Sequence, residues 1–394
     1  MGFAADRVPA VRLSAFYFLW FGGLGALLPY WGLYMKDRGH GAAEIGVIFA
    51  ILLGTKVIAP NIWGALADRS GRRVRVISVA TAAAALFFLG VPFAPGFAAM
   101  AALMIGYGFF SNASLPQFEV VTFNHLGAQE HRYGLIRLWG SVGFIISVVV
   151  LGVLVSHAGT TLVPWWVFAS LVGLFLLSRV VPEPPPGPAE TSTSGGVLSV
   201  FMQPAVLCLI VVCALSQFSH GAYYGFFSLY MEDAGFGRTL IGVLWALGVL
   251  AEVLVFAFLP GLVRRFGLRW LMIFALTVTT ARWVLLAAFA EWLAVVIVAQ
   301  LLHLASFGIY HAVAVNMIHR LFRGRLQGRG QALYSSLSFG LGGALGSLAS
   351  GMIWEISPGP AAFWVAAAAA GLGAAVAIIG LREPPPVPAQ AGAT

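Results

Sequence analysis

The sequence predicts an all-α integral membrane protein of twelve transmembrane helices in two six-helix bundles related by a pseudo-two-fold axis. Three observations support this fold class: an apolar composition, twelve long apolar runs, and a repeat shared by the two halves. Hydrophobic residues make up 60% of the 394 residues and charged residues only 9%, whereas a soluble domain carries about 25% charged residues. A soluble fold could not bury so much apolar surface, so we expect the chain to cross a membrane many times.

Apolar runs close to the roughly 20 residues that a helix needs to cross a bilayer recur along the whole chain. The predicted spans are 11–36, 43–66, 73–93, 97–124, 132–156, 160–181, 200–231, 238–262, 268–289, 291–319, 327–354 and 360–381. A segment rich in Pro, Gly, Ser and Thr follows the sixth span and predicts a flexible linker. The predicted organisation is an N-terminal bundle (1–181), a linker (182–196), a C-terminal bundle (197–381) and a disordered tail (382–394).

The sequence of one polar turn occurs twice, and the two copies are almost half the chain apart. Residues 33–47 read LYMKDRGHGAAEIGV and residues 229–243 read LYMEDAGFGRTLIGV, with nine of fifteen positions identical at an offset of 196. In each copy one span ends, a turn with two glycines follows, and the next span begins. Spans one and two therefore correspond to spans seven and eight. Parallel halves of this kind are typical of transporters whose halves rock about a central site.

Basic residues concentrate in alternate loops, which predicts the orientation of the chain. The loops after spans two, eight and ten carry Arg69, Arg72, Arg73, Arg75, Arg264, Arg265, Arg269, Arg320, Arg323, Arg325 and Arg329. By the positive-inside rule, both termini and the linker are expected in the cytoplasm. The net charge of +8 is then a topology signal and does not indicate a nucleic-acid partner.

The segment GALADRSGRRVRV (64–76) resembles the loop 2–3 signature of the major facilitator superfamily. The resemblance implies a conformational gating loop, in which Asp68 lies near a helix N-terminus of the opposite half and the arginines lie near helix ends, holding the outward-open form. The residues that carry this resemblance are Gly64, Asp68, Arg69, Gly71, Arg72 and Arg73.

Four further segments are similar to those of the 3-phenylpropionic acid permease group, which is related to the galactoside–proton and nucleoside–proton symporters. They are YGLIRLWGSVGF (133–144), HGAYYGFFSLY (220–230), LWALGVLAEVLVFAF (244–258) and LLHLASFGIYHA (301–312). This resemblance implies uptake of a small solute, such as an aromatic carboxylate, driven by the proton gradient. We expect a monomer in the bacterial inner membrane that uses no cofactor or metal. A sugar or nucleoside symporter and a drug or metabolite efflux antiporter remain alternatives with the same fold.

Five ionisable residues besides histidine lie deep in the apolar spans: Lys56, Glu119, Arg137, Glu252 and Arg282. Each costs about 2.5–3.5 kcal/mol at a span centre, so we expect them to face one another or a watery cavity. Glu119 and Arg137 lie at similar depths on neighbouring spans and are expected to pair; the galactoside symporters have a substrate-binding Glu and Arg at matching places. Lys56 and Glu252 differ by the repeat offset, so they are expected to approach across the cavity or to pair when one side closes.

In the galactoside symporters, a Glu on span eight, an Arg on span nine, and a His and a Glu on span ten form the proton-coupling cluster. Glu252, Arg282 and His303 match three of these positions, but Ser306 stands in place of the second acid. The resemblance therefore leaves the proton carrier open: Glu252 or a histidine, His303 or His311, is expected to titrate. Uniport remains an alternative.

Helical spacing predicts further cavity-lining residues: Asn112, Gln217, His220, Tyr224, Phe227, Phe307 and Tyr310. Together with Lys56, Glu119 and Arg137 they form the predicted substrate site. Three buried cations oppose two buried carboxylates, and the surplus positive charge agrees with an anionic solute. No HExxH motif, nucleophile–base pair or Walker-type loop is present, which argues against an enzyme or an ATP-driven pump.

Overall fold

The computed structural model describes residues 8–184, 196–323 and 326–384, which are almost entirely helical. The helices are α1 (Ala10–Asp37), α2 (Ala42–Ser70), α3 (Arg73–Leu89), α4 (Phe97–Leu126), α5 (Tyr133–Ala158), α6 (Leu162–Ser178), α7 (Val197–Phe201), α8 (Pro204–Asp233), α9 (Arg238–Phe289), α10 (Leu293–Leu301), α11 (Tyr310–Leu321), α12 (Gln327–Tyr334), α13 (Gly343–Ile356) and α14 (Pro360–Gly380). Of the predicted linker and tail, residues 185–195 and 385–394 lie outside the described residues, as does Arg325.

The twelve predicted spans are all present as helix. Within the described ranges, nine continuous helical segments are long and apolar enough to cross a membrane. Two of these segments, Phe97–Ala158 and Arg238–Phe289, contain two predicted spans each, and the shorter Leu162–Ser178 supplies the remaining crossing. Spans ten and eleven each contain a π-helical segment, at Leu304–Ile309 and Ser335–Gly342. The prediction of a twelve-helix membrane fold is confirmed.

Glycines in left-handed conformation explain why the same turns occur in both halves. Gly39 and Gly235, which are 196 residues apart, have φ angles of 82° and 89°. Gly71 and Gly267 are separated by the same offset and have φ angles of 61° and 74°. Glycine adopts this conformation at low cost because it has no Cβ atom, so both turns of the repeat depend on it.

The two bundles contact each other mainly along three helix pairs. Within the N-terminal bundle α1 packs against α5 and α6, and within the C-terminal bundle α8 packs against α13 and α14. Between the bundles, α2 contacts α13, α5 contacts α9, and α1 contacts α8. The α2–α13 contact is close enough that a Cβ atom on Gly46 would lie 2.8 Å from the Cα atom of Gly351.

A cluster of charged residues joins the bundles at the predicted extracellular end. Lys36 Nζ lies 3.2 Å from Glu232 Oε2 and 2.9 Å from Asp233 Oδ1. Arg238 lies 3.1 Å from Asp37 and 2.8 Å from Glu232. We call these five residues the outer lock.

The bundles are closed at the outer lock. The remaining hydrogen bonds between described residues of the two bundles are near the lock: the backbone N–H of Ala43 donates to Glu355, and Thr239 contacts Ser156 and the carbonyl of Gly152. The polar contacts between the described parts of the two bundles are therefore concentrated at this end.

Candidate functional site

Arg282 is the centre of a fully buried polar cluster in the C-terminal bundle. The side chain, on the second half of α9, is 0% exposed. Its Nε donates to the carbonyl of Ala299 at 2.8 Å, and Nη2 donates to Gln300 Oε1 at 2.8 Å. Nη1 donates to His303 Nδ1 and to Ser306 Oγ, both at 2.9 Å. All four acceptors are neutral and lie on span ten. This span therefore supplies the hydrogen-bond acceptors that replace water around the guanidinium.

These contacts determine which tautomer His303 adopts. A guanidinium can only donate hydrogen bonds, so Nδ1 of His303 must accept from Arg282 and carries no proton. The proton of the neutral ring is therefore on Nε2, which lies 3.6 Å from Glu252 Oε2. A second proton on the ring would place two cations side by side in a buried site. The structure thus brings Glu252, Arg282 and His303 together, and Glu252 is the most exposed of the three.

The π-helical segment of span ten allows this close arrangement. Gly308 lies within it, and a Cβ atom there would be 3.1 Å from Glu252 Cγ. The segment also begins one residue after His303. The wider turns of a π-helix change the direction of side chains relative to a regular α-helix. The ring of His303 stacks on Phe307 at 5.5 Å, and Phe307 stacks on His311 at 5.7 Å.

Glu119 and Arg137 do not form the ion pair that the sequence predicts. Glu119 Oε1 accepts a 3.4 Å hydrogen bond from the Tyr133 hydroxyl. The guanidinium of Arg137 lies over the rings of Phe21 and Tyr17, 3.9 and 5.5 Å from their centroids. Aromatic side chains from α1 and α5 thus occupy the positions where a direct pair would form.

The ammonium of Lys56 makes no ion pair or hydrogen bond to any described residue, so the predicted approach to Glu252 is absent from this conformation. On α2, Thr55 faces α4, where it accepts a bond from Asn112, and Leu53 faces Gly343 of α13. Lys56 lies between these two contact faces, opposite the exposed Ile58, and therefore points into the space between the bundles.

The other predicted lining residues divide into two groups. Tyr224 and Phe307 are partly exposed. Helical spacing predicts that Phe227 and Tyr310 line the cavity. This prediction is wrong in this conformation, because both side chains are 0% exposed in the C-terminal bundle. Phe227 packs on Tyr223 and Trp245, and the hydroxyl of Tyr310 donates to a backbone carbonyl of α8.

Three predicted binding residues are held by contacts within their own bundle. Asn112 donates to the carbonyl of Leu52 and to Thr55, tying α4 to α2. His220 is fully buried, and its Nδ1 donates to the carbonyl of Ser216, while Nε2 has no partner among the described residues. Gln217 is 2% exposed and its Nε2 is likewise unpaired in the described part of the chain.

The predicted gating loop lies at the arginine-rich end of the N-terminal bundle, after α2. Asp68 bonds to Arg73 of its own loop, not to the opposite bundle, and Arg73 also donates to Gln117 of α4. Gly71 takes the left-handed conformation that ends α2, and Arg69 and Arg72 are exposed. Gly64 lies nearest to the Gln117 side chain.

Sequence reasoning missed Gln300 and Tyr223. The Gln300 amide links Arg282 to Tyr223 and to the Leu244 carbonyl, and the Arg282 guanidinium stacks 4.3 Å above the Tyr223 ring. The available signal in the sequence was Gln300 itself, a single polar residue in an apolar run, three positions before His303.

Comparison with known proteins agrees with this architecture. The profile of the MFS_1 like family matches residues 10–365. The chain belongs to this family. A probable 3-phenylpropionic acid transporter of Escherichia coli (strain K12) is 30% identical over 366 residues, which cover 90% of this chain and 93% of that relative. The maltose permease of Geobacillus stearothermophilus is 27% identical over 360 residues, covering 90% and 91% of the two chains.

A solved structure shows the same fold. The crystal structure of the nucleoside transporter NupG superposes with a TM-score of 0.83 at 17% identity, covering 94% of this chain and 98% of that chain. The relatives and structural neighbours are membrane transporters, so this multi-pass chain is a transporter of the major facilitator type and not an enzyme.

Proposed function

We propose that the protein takes up a small aromatic carboxylate together with a proton by alternating access of its two bundles. The observation that carries this proposal is the unpaired Lys56 ammonium, which faces the space between the bundles. A buried charge without a partner is costly, and an arriving carboxylate would remove that cost. Arg137 offers a second cation on the same bundle, in contact with aromatic rings and not with an acid.

The charge balance of the cavity supports coupling to a proton. Lys56, Arg137 and Arg282 oppose Glu119 and Glu252, which leaves one surplus positive charge when both acids are ionised. Protonation of Glu252 raises the surplus to two and so favours binding of an anion. By linkage, the bound anion favours protonation of Glu252 to the same extent, as proton–anion symport requires.

Glu252 is the proposed proton carrier. His303 accepts a hydrogen bond from Arg282, and its Nε2 lies 3.6 Å from Glu252 Oε2. A second proton on His303 would break the contact to Arg282 and place two cations together. Glu252 can be protonated without losing a contact to a cation. His303 would then orient the carboxyl group, and Ser306 would hold Arg282 without itself titrating.

Aromatic side chains at the cavity suit a phenyl group. Phe307 and Tyr224 from the C-terminal bundle are partly exposed there, and Phe21 lies under Arg137. The name of the Escherichia coli relative points to the same solute class, 3-phenylpropionic acid.

Uptake of labelled 3-phenylpropionate into proteoliposomes with an acidic outside tests the proposal. We expect accumulation driven by the pH gradient, competition by other aryl carboxylates, and no competition by the neutral 3-phenylpropionamide. Lys56→Met should raise KM by roughly 10- to 100-fold, the value of a hydrogen bond to a charged group, while Lys56→Arg should retain most of the affinity. Equal competition by the amide or by maltose, or an unchanged KM in Lys56→Met, would reject a carboxylate anchor at this lysine.

A further inference from the structure

Gln300 is completely buried where four membrane spans meet, two of them in α9. The side chain is 0% exposed, and its Oε1 accepts from Arg282 Nη2 at 2.8 Å. Its Nε2 donates to the backbone carbonyl of Leu244 at 3.0 Å and to the Tyr223 hydroxyl at 3.2 Å. The amide thereby joins α10 to both halves of α9 and to α8.

The orientation of this amide is fixed by its partners. The Leu244 carbonyl can only accept a hydrogen bond, and the guanidinium of Arg282 can only donate. Rotating the amide by 180° would place the NH₂ group against Arg282 and the oxygen against the carbonyl. Gln300 is therefore a permanently oriented and neutral acceptor for Arg282.

We propose that Gln300 is a positioning residue that holds the Arg282 guanidinium without supplying charge, so that Glu252 remains the carboxylate whose protonation sets the charge of the cluster. Among the described residues no carboxylate contacts Arg282 directly. Arg282 bonds to His303, and His303 in turn lies next to Glu252. A carboxylate in place of the amide would neutralise Arg282 in every state. The net charge of the cluster would then be one unit lower in both protonation states of Glu252, so an anion would be attracted less strongly.

This inference rests on the proposed function, and two substitutions separate charge from packing. Gln300→Glu and Gln300→Met both remove the donors to Leu244 and Tyr223, but only the glutamate adds a charge. Nearby like charge disfavours an ionised carboxylate. Glu252 in the Gln300→Glu protein should therefore hold its proton to a higher pH, by about one pH unit.

The matched control is Gln117→Glu, because Gln117 also accepts a hydrogen bond from an arginine, Arg73, but in the other bundle. This control should leave the pH of half-maximal uptake unchanged, whatever it does to the rate. In Gln300→Met, gradient-driven accumulation should fall several-fold while the pH of half-maximal uptake stays at its wild-type value.

An infrared pH titration of the purified protein supplies a readout that needs no transport. The band of the protonated carboxyl group is assigned to Glu252 by its loss in Glu252→Gln. A rise of about one pH unit in its midpoint in Gln300→Glu supports the inference even if 3-phenylpropionate proves not to be the solute. An unshifted band in a folded Gln300→Glu protein overturns the inference. Wild-type accumulation by Gln300→Met also overturns it. If the Gln300→Glu protein does not fold, the Gln300→Met result decides.

Discussion

Lys36 and Glu232 occupy the same position in the two repeats and form an ion pair with each other, with Nζ 3.2 Å from Oε2. They are 196 residues apart, and they differ in charge within an otherwise identical Leu-Tyr-Met-x-Asp sequence. Residues related by a pseudo-two-fold axis meet where the axis passes between the bundles. Identical charges there would repel, so the sign change between the repeats allows this end to close.

The first prediction concerns the outer lock. Lys36→Glu places a third acid against Glu232 and Asp233, and should shift the protein toward a state that is open on this side. Partly exposed ion pairs contribute up to about 1 kcal/mol, so we expect a population change of a few-fold. Spin labels on the exposed residues Thr161 and Ser357, at this end of the two bundles, should report the longer distance.

The reciprocal double variant is the control for this experiment. Lys36→Glu combined with Glu232→Lys restores a pair of opposite charges and should return much of the short-distance population. A double variant that is as open as Lys36→Glu alone would show that the pair itself does not hold the bundles together.

The second prediction concerns two carboxylates that cap helices at the predicted cytoplasmic end. Glu183 accepts from the backbone N–H groups of Val74 and Arg75 at 3.0 and 2.9 Å. Glu383 does the same for Leu268 and Arg269 at 3.0 and 2.7 Å. Each glutamate begins a Glu-Pro-Pro-Pro sequence after the last span of its half, so the cap is part of the duplication.

Replacing either cap should lower stability. Glu183→Ala and Glu383→Ala should each destabilise the protein by about 1 kcal/mol, the usual contribution of a helix N-cap. Because the two sites lie in different bundles, the effects on the melting temperature should add. A double variant that melts at the wild-type temperature would contradict a capping role.

The fold was predictable because hydropathy and repetition act over long stretches of sequence. Twelve apolar runs and the offset of 196 do not depend on the direction of any single side chain. The union of Glu252, Arg282 and His303 was expected from the resemblance to the galactoside symporters.

Side-chain pairs were less predictable because neighbouring helices decide them. Glu119 and Arg137 have suitable depths, but Tyr133 and the rings of Tyr17 and Phe21 occupy the contact positions. Phe227 lies on the expected face of α8, yet Trp245 and Tyr223 cover it. Regular helical spacing also fails in span ten, where the π-helical segment Leu304–Ile309 rotates the following residues.

Uptake by Glu252→Gln is the most direct test of proton coupling at this site. The amide imitates the protonated acid, so exchange of labelled for unlabelled 3-phenylpropionate across proteoliposomes should continue, while accumulation driven by the pH gradient should be lost. Glu119→Gln, the other buried acid, should retain gradient-driven accumulation. Full accumulation by Glu252→Gln, or its loss in Glu119→Gln alone, would contradict the assignment of the proton to Glu252.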